Sequence, residues 1–149
     1  MIIAELLKRS GAHVHTASET LTVAEAVREM ALKNTSVLIV GSEKRPVGIF
    51  TDRDVFRCCR LHQNESFSEI KIADAMSRDI VSASPEDDTG DALSKMLQLK
   101  IHHLPVMDSE KATGMLNILD LVREHVDLLN GEIHFLNDYI ARLQDAGHD

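Results

Sequence analysis

The sequence predicts an α/β (α+β) protein built from two copies of one small module and closed by a long helix. Three observations predict it. The stretch Gly48-Ile49-Phe50-Thr51-Asp52-Arg53-Asp54 returns as Gly114-Met115-Leu116-Asn117-Ile118-Leu119-Asp120, 66 residues later. The same offset, without a gap, pairs Met30 with Met96, Ala26 with Ala92, Val27 with Leu93 and Val40 with Val106. Within each copy, short β-branched runs alternate with apolar residues at helical spacing. A fixed internal period fixes the architecture, and two copies mean a duplicated module rather than a solenoid.

The elements follow in order. Residues 2–9 read as a short amphipathic helix that stops at Ser10-Gly11. His13 to Thr16 reads as a strand. A helix is expected from Thr22 to Lys33, with Val23, Ala26, Val27 and Met30 on one face. Ser36 to Val40 is a buried strand, 41–45 a polar turn and Pro46 to Phe50 the return strand. The helix after Thr51 runs to Leu61. His62 to Ser66 is a linker, and Ile72 to Met76 a short helix paired with the N-terminal one. The second copy opens with Asp79 to Ala83. Ser84 to Asp88, acidic and with a proline, suits the first turn of a helix reaching Lys100. His102 to Val106, a turn at 108–111 and Ala112 to Leu116 complete the hairpin. The expected organisation is a lead-in at 1–12, repeats at 13–62 and 79–130, a linker at 63–78 and a C-terminal helix at 117–145.

That last helix carries Leu119, Val122, Val126, Leu129, Ile133, Leu136, Ile140 and Leu143 at spacings alternating 3 and 4. This is a heptad a/d pattern, which argues for helix pairing between subunits. Leu121, Leu128 and Phe135 are expected to widen the stripe, favouring a packed bundle over a simple two-stranded seam. The competing reading is one long helix lying on its own module.

Composition sets bounds. Of 149 residues, 44% are hydrophobic and only 3% aromatic, with no tryptophan, so the core is aliphatic. That argues against stacking platforms for single-stranded nucleic acid. A net charge of −8 disfavours nucleic acid as a partner. No apolar run approaches transmembrane length and no secretory signal pattern is visible, so no membrane partner is expected. Cys58 and Cys59 are adjacent and read as reduced thiols, which points to a cytoplasmic protein.

The repeated motif sits where a strand hands over to a helix. Thr51 and Asn117 are favoured N-caps, and Thr51-x-x-Asp54 resembles a capping box. The same geometry suits a ligand. A helix N-terminus presents free N–H groups to phosphate, and a carboxylate beside it can accept from ribose hydroxyls.

The ordered segments Thr20 to Val27, Ser36 to Val40 and Gly48 to Asp54, matched by Asp91 to Leu93, His103 to Val106 and Gly114 to Asp120, resemble the cystathionine-β-synthase (CBS) domain family in its tandem form. The resemblance covers residues 10–130. It implies two β-α-β-β-α repeats about a pseudo-twofold axis, with two clefts that often bind adenosine-containing ligands. Carried over residue by residue, Asp54 and Asp120 contact ribose and Thr51 assists. Asn117 departs from the family's Ser/Thr. Arg53 offers a guanidinium for phosphate where its repeat mate is Leu119. His102 and Thr16 complete the implied set.

No catalytic set is expected. Asp52 and Asp54 lack an accompanying nucleophile, base and orienting group. The eight histidines show no metal-ligand spacing. Alternation would point His102 and His103 to opposite faces, and Arg57 and Arg60 read as a solvated helix face. The expected function is a regulatory homodimer, paired through repeat faces and the C-terminal helix. It senses an adenosine nucleotide (AMP, ADP, ATP or a related ligand), needs no cofactor and acts on a downstream protein. The alternative is a structural dimerisation module with degenerate, empty sites.

Overall fold

A computed structural model describes residues 1–10 and 13–147; Gly11, half of the expected helix stop, lies outside them. Helix α1 spans Ile3–Ser10 and strand β1 only Thr16–Ala17. The strand expected at His13 to Thr16 is therefore shifted and shorter. Its parallel ladder pairs Thr16 with Ile39 and Ala17 with Val40, and His15 contributes only its carbonyl, to the Ile39 N–H at 2.8 Å.

Helix α2 spans Val23–Leu32. Thr22 and Glu25 close both arms of a capping box, at 3.2 and 3.1 Å. Strands β2 (Val37–Gly41) and β3 (Pro46–Thr51) form an antiparallel hairpin, giving a sheet of order β1-β2-β3. Thr51 ends β3 and caps helix α3 (Asp52–Leu61) with no intervening loop. After the linker comes helix α4, Ile72–Ala75.

The second copy repeats this plan. Helix α5 covers Thr89–Leu99, strands β4 and β5 cover His103–Asp108 and Lys111–Asn117, and helix α6 runs Ile118–Ala146. A bridge from Ala83 to Val106 stands where β1 pairs in the first copy. Both hairpins carry an irregularity at the same place, Val40/Gly41 and Val106/Met107. One expectation fails: Ser84 to Asp88 is not the first turn of α5. Asp87 accepts the Ser84 N–H at 2.9 Å and closes a turn, while Asp88 is the N-cap, accepting from Gly90 and Asp91. These aspartates prefer local side-chain-to-backbone bonds to helical ones.

The short helices α1 and α4 are exchanged between the repeats. Ile72 and Ala75 complete the core of the first repeat, around Phe50, Leu38 and Val23. Ile3 and Leu6 complete that of the second, around Leu104, Leu116 and Met96. The hydrogen bonds match in pairs: Ile72 N–H to Leu21 carbonyl and Ile3 N–H to Asp87 carbonyl, both 2.9 Å. Val23 donates to Ile70 as Thr89 donates to Met1. A third cluster, of Val37, Ile39 and Met115 with Ile49, joins the two sheets.

The two motif glycines differ in what surrounds them. A Cβ on Gly48 would meet Met76 Sδ at 2.5 Å and the Ser77 carbonyl at 2.9 Å, whereas on Gly114 it would meet Leu7 Cδ1 at 2.7 Å. Leu7 can rotate and backbone cannot. Gly48→Ala is expected to cost about 1–3 kcal/mol by overpacking, and Gly114→Ala less. Equal shifts in denaturant midpoint for the two would contradict this.

Candidate functional site

A cleft of about 640 Å³ opens between the repeats beside the first motif. The β3–α3 junction supplies Ile49, Thr51, Arg53 and Asp54, and α3 continues with Phe56, Arg57 and Arg60. Ser77, Asp79 and Val81 come from the segment after α4, and Ile101, His102 and His103 from the second repeat.

Asp54 is the centre of this wall. It is 4% exposed. Its Oδ2 accepts the Thr51 N–H at 2.9 Å and faces the Thr51 hydroxyl at 3.5 Å. Its Oδ1 accepts from Arg57 Nη2, which also donates to the Ala75 carbonyl at 3.1 Å. Burial pushes the Asp54 carboxyl above its ordinary value; the Thr51 N–H and the Arg57 charge pull against that without cancelling it. The carboxylate is thus held rigidly at a helix start, with the Arg57 guanidinium beside it.

Arg57 is exposed, as expected of a solvated helix face, yet it also pairs with the buried Asp54 and lines the cleft. The signal was present: it stands three residues after Asp54, on the same side of the helix. Ser77, Asp79 and Val81 carry no local signal, since only tertiary folding brings the segment after α4 to the cleft. Arg53 reaches across and donates from Nη1 to the carbonyl of Lys100, which sits in a left-handed conformation (φ 56°) at the end of α5.

The histidines also correct the sequence reading. His102 precedes β4 rather than belonging to it, so strand alternation does not separate it from His103, and both line the cleft. His103 Nε2 lies 2.8 Å from the Ser36 hydroxyl, a contact between the repeats. Burial lowers its pKa below the ordinary 6.5; Asp52 opposes the shift and His102 adds to it. A histidine with a lowered folded pKa leaves stability intact above 6.5 and costs stability as pH falls below it. Urea midpoints are expected to fall on acidification from that point, and His103→Gln to flatten the fall. An unchanged slope in the variant would remove His103 as the cause.

The second motif is arranged differently. Asn117 Oδ1 accepts the Leu119 N–H at 2.9 Å, so its amide is used as a cap. Asp120 lines a separate cavity of about 310 Å³ with Arg9, Ser10, Arg123, Glu124 and Asp127, and Asn117 is not on its wall. Thr16 lies in β1, where its carbonyl accepts from Lys33 Nζ at 3.3 Å; it lines neither cavity. Among the described residues, no group of three or more His, Cys, Asp or Glu is placed to hold a metal ion, and no helix is long and apolar enough to cross a membrane.

Comparison with known proteins agrees with this architecture. A mitochondrial CBS domain-containing protein of Arabidopsis thaliana (CBSX3) is 32% identical over 124 residues, which is 80% of this chain and 60% of the relative. An uncharacterized 17.7 kDa protein of Acidianus ambivalens is 31% identical over 77% of this chain and 69% of its own length. The crystal structure of a CBS domain protein from Pyrobaculum aerophilum complexed with AMP superposes with a TM-score of 0.73 at 25% identity, covering 87% of this chain and 97% of that one. A CBS-domain containing protein from Agrobacterium tumefaciens gives 0.77 at 22% identity, over 84% and 99% of the two chains. The family model for the CBS domain matches residues 3–60 and again 72–127. The chain belongs to the CBS domain family, as a tandem pair of such domains.

Proposed function

We propose that this chain is a regulatory module that binds one adenosine nucleotide in the cleft beside Asp54. The observation that carries the reading is the convergence of Arg53, Arg57 and Arg60 on the same cleft as Asp54 and Thr51. The chain has a net charge of −8, so a phosphate needs such a local cationic wall. Asp54 is placed to accept from ribose hydroxyls, while Arg57 and Arg53 pair with phosphate oxygens. Ile49, Val81 and Ile101 offer an apolar slot for a base. The AMP complex of the Pyrobaculum protein supports the ligand class.

The second motif is read as empty. Asn117 is engaged as a cap, and Leu119 stands where the first copy has Arg53. The module acts as a homodimer through its repeat faces, where Phe56 and Leu97 are exposed, and through α6. Its output goes to a downstream protein, and no catalytic role is assigned.

The test is a thermal-shift series with AMP, ADP, ATP, a dinucleotide and S-adenosylmethionine. One ligand is expected to raise the midpoint in proportion to log concentration. A flat response to all five returns the chain to the structural-module reading.

A further inference from the structure

Helix α6 carries two apolar faces, and only one of them meets its own module. The helix has 29 residues, about 43 Å at ~1.5 Å per residue. Its buried residues are Leu121 and Glu124 alone. In the heptad frame of the sequence these are positions c and f, which lie across the helix from the a/d seam. Leu121 therefore does not widen the seam, as its spacing suggested; it faces the core of the second repeat with Leu104 and Leu116. Along those same turns the seam stays open: Leu119 is 56% exposed and Val126 46%. From residue 125 onward every described residue is exposed, although the helix continues to Ala146. Most helical stability in proteins comes from packing an amphipathic face, and Asn130 and Gly131 lower the intrinsic propensity of this unpacked stretch.

We propose that α6 pairs with α6 of a second copy as a parallel, in-register, two-stranded coiled coil. This deepens the homodimer reading above and rests on it. The choice of residues along the seam specifies the arrangement. Positions a are Leu119, Val126, Ile133 and Ile140; positions d are Val122, Leu129, Leu136 and Leu143, so from Val126 onward every a is β-branched and every d is leucine. β-branched residues at a with leucine at d favour two parallel strands. The flanking positions agree. In the parallel register Glu132 faces Asn137 of the second copy and His125 faces Asn130, so no like charges meet. Gly131 falls at position f, outside the seam, where its missing side chain costs no interhelical packing. The family match ends at 127, and the seam continues past it for three further turns and more. A parallel coil places both modules, and both clefts, at the same end.

The test uses the full chain in a Cys59→Ser background, because Cys59 is exposed. Sedimentation is expected to give a dimer. Leu143→Cys alone is expected to form a disulfide-linked dimer under mild oxidation, since equivalent d positions face each other only in the parallel register. Ile133→Asp is expected to weaken the dimer by about 100-fold or more, through an unpaired carboxylate in the seam. Ile133 is 56% exposed, so the module itself should fold normally. A dimer that cross-links only when Leu143→Cys is mixed with Val126→Cys overturns the parallel arrangement and leaves the dimer reading standing. A dimer unaffected by Ile133→Asp places the contact on the repeat faces and overturns the coil. A monomer at micromolar concentration overturns both. The nucleotide response of Ile133→Asp reports separately on the cleft.

Discussion

Asp54→Ala is expected to abolish the nucleotide-induced rise in melting temperature. At about 100 times its dissociation constant a ligand adds about 2.7 kcal/mol, on the order of 5–10 °C for a chain of this size. The substitution also removes the acceptor for the Thr51 N–H and the partner of Arg57. Losing such a cap costs about 0.5–2 kcal/mol of stability by itself. Asp54→Asn separates the two effects. The amide oxygen still accepts from Thr51, but the amide NH2 then meets the Arg57 guanidinium, which keeps only the Ala75 carbonyl as acceptor. Its loss of stability is expected to be smaller than that of Asp54→Ala, with the nucleotide response still lost. If Asp54→Asn responds like wild type, the carboxylate is a cap and ion-pair partner only, and the ligand does not use it.

Ile72→Ala and Ile3→Ala are expected to destabilise the chain by about 2–5 kcal/mol each. Both side chains are fully buried. Each belongs to the short helix that completes the other repeat's core, so the two variants damage different cores. Because the helices are exchanged, either change is expected to lower the midpoint of a single unfolding transition followed by circular dichroism. Two resolved transitions, only one of them displaced, would mean that the repeats unfold independently despite the exchange.

The architecture was readable because the period of 66 residues is kept without a gap between the motifs, and because strand and helix patterns recur in each copy. The exchange of α1 and α4 was not readable. Ile3 and Ile72 look alike in sequence, yet nothing local says which core each one enters. The residues of Ser84 to Asp88 look like a helical first turn, but their side chains bond to nearby backbone instead. Strand alternation does not separate His102 from His103, because β4 begins at His103. At the site, Thr51, Arg53, Asp54 and His102 all come to one cleft. For Arg57 the spacing gives the helix face, which it shares with Asp54, but not the cleft that this face borders. Asn117 and Asp120, matched by motif to Thr51 and Asp54, part company: Asn117 accepts the Leu119 N–H, and Asp120 lines a separate cavity without it.

The exchange of short helices also sets an order for synthesis on the ribosome. Phe50 and Leu38 cannot be sealed until Ile72 has emerged, so the first repeat stays open while its linker is being made. Helix α1 is translated before either sheet, but its seat is built from Met96, Leu104 and Leu116. Helix α1 thus leaves the tunnel ahead of the sheets it docks on and is among the last of these elements to be seated, with Ile3 and Leu6 exposed until then. A chain interrupted before residue 104 leaves that apolar surface open to chaperones and proteases.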